Sequence, residues 1–211
     1  TKNNSDIKKI AIPNLLLKDE VEEISLKEVN EIDTPCKLVY QGVLGEKNTH
    51  RDYIPLFEEI GKMDSVELHI YGFTWNQQYQ EVFNKYDNIY FYDKVNRKEL
   101  LGRLKYFDVG LIPFNYNYSR DLLDSALPNK LFEYIGAGIP VLSSNLVSIT
   151  DFLSKYGVGT SFYDNDHLLE SIHYLINNYP VLQTNCYNIR MKQTWDSKIN
   201  DIVDLYNKLV P

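Results

Sequence analysis

The chain of 211 residues carries 22 basic and 29 acidic residues, for a net charge of −7 with neutral histidines, and is 44% hydrophobic against 24% charged. These proportions exclude a wholly disordered chain. No apolar run reaches membrane-spanning length, and the acidic balance argues against broad nucleic-acid binding, which needs a concentrated positive surface.

At about 150 residues per domain, the length gives one domain or one and a half. The N-terminus has no apolar stretch of the kind a secretory signal needs. It begins on Thr1, which reads as a processed or trimmed chain. Cys36 and Cys186 have no metal spacing and read as free thiols in a reducing compartment such as the cytoplasm, with Cys36 at the start of a strand read as buried.

In chain order, the first expected element is a short strand at 7–12. A polar connector follows, whose acidic run from Lys18 to Asp33 reads as a solvated face. From Lys37 a rhythm begins. Residues 37–43 are a short apolar run with Gly42 near its end. Residues 53–62 have helical spacing, with Ile54, Phe57 and Ile60 on one face. Residues 66–72 alternate as a strand and close on Gly72, residues 77–86 read as a helix, and residues 88–92 read as a strand. Asn96, with Glu99 three positions on, reads as the N-cap of a helix carrying Leu100, Leu101 and Leu104.

The second half repeats the pattern. A strand at 108–113 leads into a polar loop at 115–127, and Pro128 opens a helix at 129–136, where a first-turn proline is well tolerated. A strand at 140–144, a short helix capped by Ser148 and a last strand at 157–162 follow. A helix runs from Asp164 or Asn165 to Asn177, and two further helices follow Pro180 and Thr194. Short strands alternating with helices of about ten residues imply an α/β, doubly wound, Rossmann-like parallel sheet. In such a sheet a ligand binds outside the carboxyl ends of the strands. That directs attention to the loops at 42–51, 72–77, 93–96, 114–128 and 143–150.

The most informative segment is LPNKLFEYIGAGIPVL, beginning at Leu127. It puts Asn129 and Lys130 in a first helical turn, whose free N–H groups and positive dipole end suit an anion. Lys130 adds a cation. Glu133, one turn deeper, could accept the hydroxyls of a ribose whose diphosphate sits at the helix end. The same spacing would also serve a capped surface helix with an i,i+3 Lys–Glu pair. The long Asn-, Tyr- and Asp-rich loop before it favours the functional reading. Tyr116 and Tyr118 in that loop could stack on a sugar.

PNKLFEYIGAGIPVLSSN resembles the donor-side signature of GT-B glycosyltransferases, the superfamily of glycogen synthase and sucrose synthase. VYQGVLGEKN is similar to the first strand and turn of their C-terminal, nucleotide-sugar-binding domain, and ELHIYGF with NIYFYDKVNRKELLGRLKYFDVGLIPF to its middle. KQTWDSKINDIVDLYNKLV is similar to the family's closing helix, and IPN near Asn14 to the end of an N-terminal domain.

The resemblance implies half of a GT-B architecture. Residues 1–35 would be a remnant of the interdomain connector, 36–192 the donor domain and 193–211 the closing helix. It implies a nucleoside diphosphate sugar as donor, with uridine as the expected base. Transfer would retain configuration, without a metal or other cofactor. The acceptor would be a glycan or lipid-linked molecule in bacterial surface polysaccharide biosynthesis. A missing N-terminal domain would hold that acceptor, and the whole enzyme would be cytoplasmic, with peripheral membrane association as one option. The isolated chain would then bind nucleotide and transfer nothing. A binding module without transfer is the alternative.

Carried over residue by residue, Glu133 would bind the ribose and the amides of Asn129 and Lys130 the diphosphate. Main-chain groups of Lys94 and Val95 would face the base, and Lys47 or Arg51 the leaving phosphate. The family often has a second Glu eight residues before the ribose Glu. Here that position is Ser125, so the sugar would be held by Ser125 with the backbone of Ala126 and Leu127, or by Asp124 or Asp121 nearby. The remaining features, including the partial glycine motifs at Gly42–Gly45 and Gly157–Gly159, the four histidines and Trp195, read as turn, packing or surface residues.

Overall fold

The computed structural model describes residues 12–28, 31–115 and 123–209. Most of the expected strand at 7–12, together with Tyr116, Tyr118 and Asp121, lies outside the described residues.

Six parallel strands form one sheet in the order β3-β2-β1-β4-β5-β6. They are β1 (Cys36–Val43), β2 (Val66–Phe73), β3 (Ile89–Tyr92), β4 (Val109–Ile112), β5 (Val141–Ser144) and β6 (Gly159–Phe162). Before β1 lies the short helix α1 (Lys18–Glu23). The crossovers are α2 (Ile54–Gly61), α3 (Gln78–Lys85), α4 (Arg97–Arg103), α5 (Asn129–Gly136) and α6 (Val147–Tyr156). The chain closes on α7 (Leu168–Arg190) and α8 (Trp195–Leu209).

The strand order reverses direction between β1 and β4, and this is where a doubly wound sheet opens a crevice for a ligand. Helices cover both faces of the sheet, so its central strands are apolar almost throughout; β4 and β5 are buried at every position. Along β1 the side chains alternate. Leu38 and Tyr40 pack with Phe57, Ile60 and Tyr79 of α2 and α3, while Val39 packs with Tyr134 and Ile135 of α5.

Tyr134 fixes α5 over the crevice. Its hydroxyl donates to the Val39 carbonyl at 3.1 Å and to that of Leu111 at 3.4 Å, one on each side of the switch point. Its ring lies over Gly110, where an added Cβ would meet the ring at 2.2 Å. Lys130 and Glu133 are thereby carried to the carboxyl end of β1. Asn96 caps α4 as expected: its side chain accepts from the Glu99 amide at 2.9 Å.

The structure corrects four expectations. Pro180 does not separate two helices but lies inside α7, a helix of 23 residues. Its cost of about 3 kcal/mol is outweighed by a buried stripe that runs past it through Leu175, Tyr179, Leu182 and Cys186. Ser148 does not cap α6. Leu146 is the N-cap, and the Asp124 carboxylate accepts from the Val147 amide at 3.3 Å. Pro128 is the N-cap of α5 rather than its first residue, with Leu131 donating to its carbonyl at 3.0 Å.

The acidic run at 18–33 is not simply a solvated connector. It contains α1, whose Val21 and neighbouring Leu16 and Ile24 are buried in the same core as α5. Leu16 pairs with Thr194, and its carbonyl accepts from the Trp195 amide at 2.9 Å, joining this segment to the start of α8. No helix among the described residues is long and apolar enough to cross a membrane.

Candidate functional site

A cleft of about 610 Å3 opens at the carboxyl ends of β1 and β2, within the usual range for small-molecule sites. Its floor is Gln41, Gly42 and Val43 beside Tyr71, Gly72 and Phe73. One wall is the loop after β3, with Lys94 and Val95, and the start of α4, with Arg97 and Leu100. The other is α5, with Asn129, Lys130 and Glu133, and Arg51 stands at the mouth.

The amides of Asn129 and Lys130 open α5 with no acceptor among the described residues, as expected of first-turn N–H groups. The partly buried Lys130 ammonium lies 4.2 Å from the centre of the Tyr40 ring. Burial, reinforced by the Arg51 charge and opposed by Glu133, lowers Lys130 to about 7. Tyr40 itself is buried, and its hydroxyl donates to the Val43 carbonyl at 2.9 Å.

Glu133 sits one turn deeper, its side chain 12% exposed. It accepts from the Gln41 amide on one oxygen and from Arg97 Nε, at 3.2 Å, on the other. Arg97 also donates to Glu20 of α1 at 2.8 Å. Four basic side chains, Arg51, Lys94, Arg97 and Lys130, thus line one cleft with the Glu133 carboxylate. That arrangement can hold a polyanion at its cationic side and hydroxyl donors at Glu133.

Of the residues singled out in the sequence, Arg51, Lys94, Val95, Asn129, Lys130 and Glu133 come together here. Lys47 does not. The turn before Arg51 is tied by the Asn48 amide to the Asp52 carboxylate at 2.9 Å, and Lys47 lines a separate groove with Glu58 and Glu81 between α2 and α3. Ser125, Ala126 and Leu127 stand outside the cleft lining. The Ala126 amide turns back to the Leu123 carbonyl at 2.9 Å, and Leu127 packs against the core. The Asp124 carboxylate is engaged at the start of α6. Gln41 and Arg97 are cleft residues that sequence reasoning leaves out, as is Tyr40 of the core, whose ring lies under Lys130. Only Gln41 carries a signal, as a polar residue within the buried stretch of β1.

A family model described as "Glycosyl transferase-like" matches residues 51–185. No curated protein matches. Among solved structures, AviGT4, a glycosyltransferase involved in avilamycin A biosynthesis, is 13% identical with a TM-score of 0.68, over 96% of this chain and 58% of that one. The C-terminal domain of the glycosyl transferase group 1 family protein LpcC from Francisella tularensis is 11% identical with a TM-score of 0.58, over 87% of this chain and 96% of that domain. TarM of S. aureus, solved with fondaparinux, α-GlcNAc-glycerol and UDP, is 16% identical with a TM-score of 0.61, over 96% of this chain and 40% of that one. The chain spans about half the length of the first structures it matches. At these identities the structures speak for the fold, and the family model speaks for descent. The chain belongs to the glycosyl transferase-like family and has the fold of one half of a GT-B glycosyltransferase, matching the expectation from its sequence.

Proposed function

We propose that the chain is the donor-binding half of a glycosyltransferase that moves a sugar from a nucleoside diphosphate, with uridine as the expected base. The observation that carries this reading is the junction of an open helix start, Lys130 and Arg51 with a carboxylate one turn deeper in the same cleft. The diphosphate lies on the amides of Asn129 and Lys130, within reach of the Lys130 and Arg51 charges. The ribose diol reaches Glu133 and displaces Arg97, whose half-exposed ion pair is worth less than about 1 kcal/mol. The base lies against the main chain of Lys94 and Val95, and the sugar extends toward the turn carrying Ser125, Ala126 and Leu127.

The chemistry follows from charge. Departure of the nucleoside diphosphate builds negative charge on phosphate oxygens, and fixed N–H groups and cations stabilise it as it forms. A second carboxylate of the glycosidase type is unnecessary, because the leaving group is already good. Transfer with retention, to a glycan or lipid-linked acceptor in surface polysaccharide biosynthesis, belongs to the whole enzyme. There an N-terminal domain would complete the cleft, working in the cytoplasm or peripherally at the membrane. A nucleotide-sugar-binding module without transfer is the second reading, favoured by Ser125 standing where the family often offers a carboxylate to the sugar, with the neighbouring Asp124 engaged at the start of α6.

Two expected results test the site, both read by calorimetry. Glu133→Ala weakens uridine diphosphate binding by about tenfold, the worth of a charged hydrogen-bond acceptor, and leaves pyrophosphate binding nearly unchanged; equal losses would remove its ribose role. Arg51→Ala weakens pyrophosphate binding by about fivefold to tenfold, while Lys47→Ala changes nothing. The reverse order would return the phosphate role to Lys47. Joining the chain to its N-terminal half and assaying donor turnover separates transferase from binding module.

A further inference from the structure

We infer that Gln41 is a positioning residue of this cleft, holding the Glu133 carboxylate in the one orientation that leaves both of its oxygens open to a vicinal diol. The inference rests on the reading of Glu133 given above. Gln41 is 6% exposed and sits in β1 between the apolar Tyr40 and the cleft floor at Gly42. Its amide orientation follows from chemistry. A carboxylate is acceptor-only, so the Gln41 nitrogen must face Glu133 and the oxygen must face away. That oxygen is buried and has no partner among the described residues.

An orphaned buried acceptor costs free energy without return. A leucine or methionine would fill the same place in the strand without that cost. The polar side chain therefore gives nothing to the packing of β1, and the one side-chain bond it makes among the described residues is to Glu133.

The effect of that bond can be counted. The two oxygens of a carboxylate offer about four acceptor directions. Gln41 takes one on Oε2, and Arg97 takes one on Oε1. Even before Arg97 is displaced, one direction remains on each oxygen, so the carboxylate can meet the two neighbouring hydroxyls of a ribose. Of the two holders, Arg97 is half-exposed and easily displaced, while Gln41 is enclosed and remains. Without the Gln41 bond the carboxylate is free to rotate about its last torsion, which is broad for glutamate. The entropy of fixing it is then met by the ligand.

The test uses the 211-residue chain and calorimetric titration with UDP, 2′-deoxy-UDP and pyrophosphate, repeated with the GDP and ADP pairs so that the base is not presupposed. The native chain is expected to prefer the ribonucleotide over its 2′-deoxy form by about tenfold. Gln41→Met, which keeps length and fills the space, should reduce that preference to about threefold or less while leaving pyrophosphate binding and the thermal midpoint nearly unchanged. Gln41→Asn keeps an amide that falls short of Glu133, so it should lose the preference equally, and it serves if the methionine variant folds poorly. Retention of the full preference by both variants would overturn the inference. So would a parallel loss for all three ligands with a lowered midpoint, because Gln41 would then be a packing residue. If the native chain binds pyrophosphate but no ribonucleoside diphosphate more tightly, the Glu133 reading fails first and the Gln41 inference falls with it.

Discussion

Nucleoside diphosphate binding should weaken about tenfold for each pH unit above 7 in the native chain, and this slope should vanish in Lys130→Met. Burial, with the Arg51 charge adding to it, lowers Lys130 to about 7 in the empty cleft. A bound diphosphate places negative charge beside it and favours the ammonium, so the value in the complex is higher than in the free chain. Binding therefore takes up a proton. The affinity is fully present below pH 7 and is lost as the pH rises through the interval between the two values.

Titrations between pH 7.5 and 9 isolate this term, because a terminal phosphate with a second ionisation near 6 is already fully charged there. Among the other groups around Lys130, burial raises Tyr40 well above its usual range and leaves it neutral across this window. Burial and Arg51 lower His50, next to Arg51 in the chain, so it too is neutral there. Lys130→Met should bind about a hundredfold more weakly at pH 7, the scale of one lost charged donor at a developing oxyanion. Equal slopes in both proteins would show that Lys130 does not meet the phosphates.

The same geometry explains why one short helix can carry most of the site. Tyr134 anchors α5 to the carbonyls of Val39 and Leu111 on the two sides of the switch point. Lys130 lies one turn before Tyr134 and Glu133 immediately before it, so a single anchor sets the depth of both Lys130 and Glu133 in the cleft. Arg97 then links Glu133 to Glu20 of α1, a contact between the cleft and the segment that precedes β1.

Much of this was legible in the sequence because local signals and global fold agree. Apolar runs closing on glycine, the Asn96–Glu99 cap and a helix opening at Asn129 each have a local physical cause and fell where expected, although Pro128 caps α5 instead of entering its first turn. What failed depended on distant contacts. Pro180 is a local helix breaker, yet the buried stripe from Leu175 to Cys186 holds α7 together around it. The acidic stretch at 18–33 reads as solvated until Val21 is seen packed against α5. Lys47 and Arg51 are four residues apart on one loop and chemically alike. Only the turn tied by Asn48 and Asp52 decides which faces the cleft. Gln41 and Arg97 reach Glu133 across 92 and 36 residues of chain, and no spacing rule announces such meetings.

Gly72→Ala should be the most damaging single substitution at the cleft, with a loss of at least about 3 kcal/mol or failure to fold. Gly72 of β2 pairs in register with Gly42 of β1, and an added Cβ at position 72 would stand 1.9 Å from the Gly42 carbonyl oxygen. The obstacle is backbone, which cannot swing aside as a side-chain tip can. Gly42 cannot give way cheaply either, because its φ of 137° lies where only glycine is comfortable. Both residues belong to the cleft floor, so relief of the clash would have to part β1 from β2 between Gln41 and Phe73. Gly102 in α4 provides the control. Nothing lies within 4 Å of a Cβ added there, so Gly102→Ala should instead stabilise the chain by about 0.5–1 kcal/mol through helix propensity. Urea unfolding of both variants reads the two effects on one scale. A Gly72→Ala midpoint equal to that of the native chain would mean that the close approach of β1 and β2 does not exist in solution.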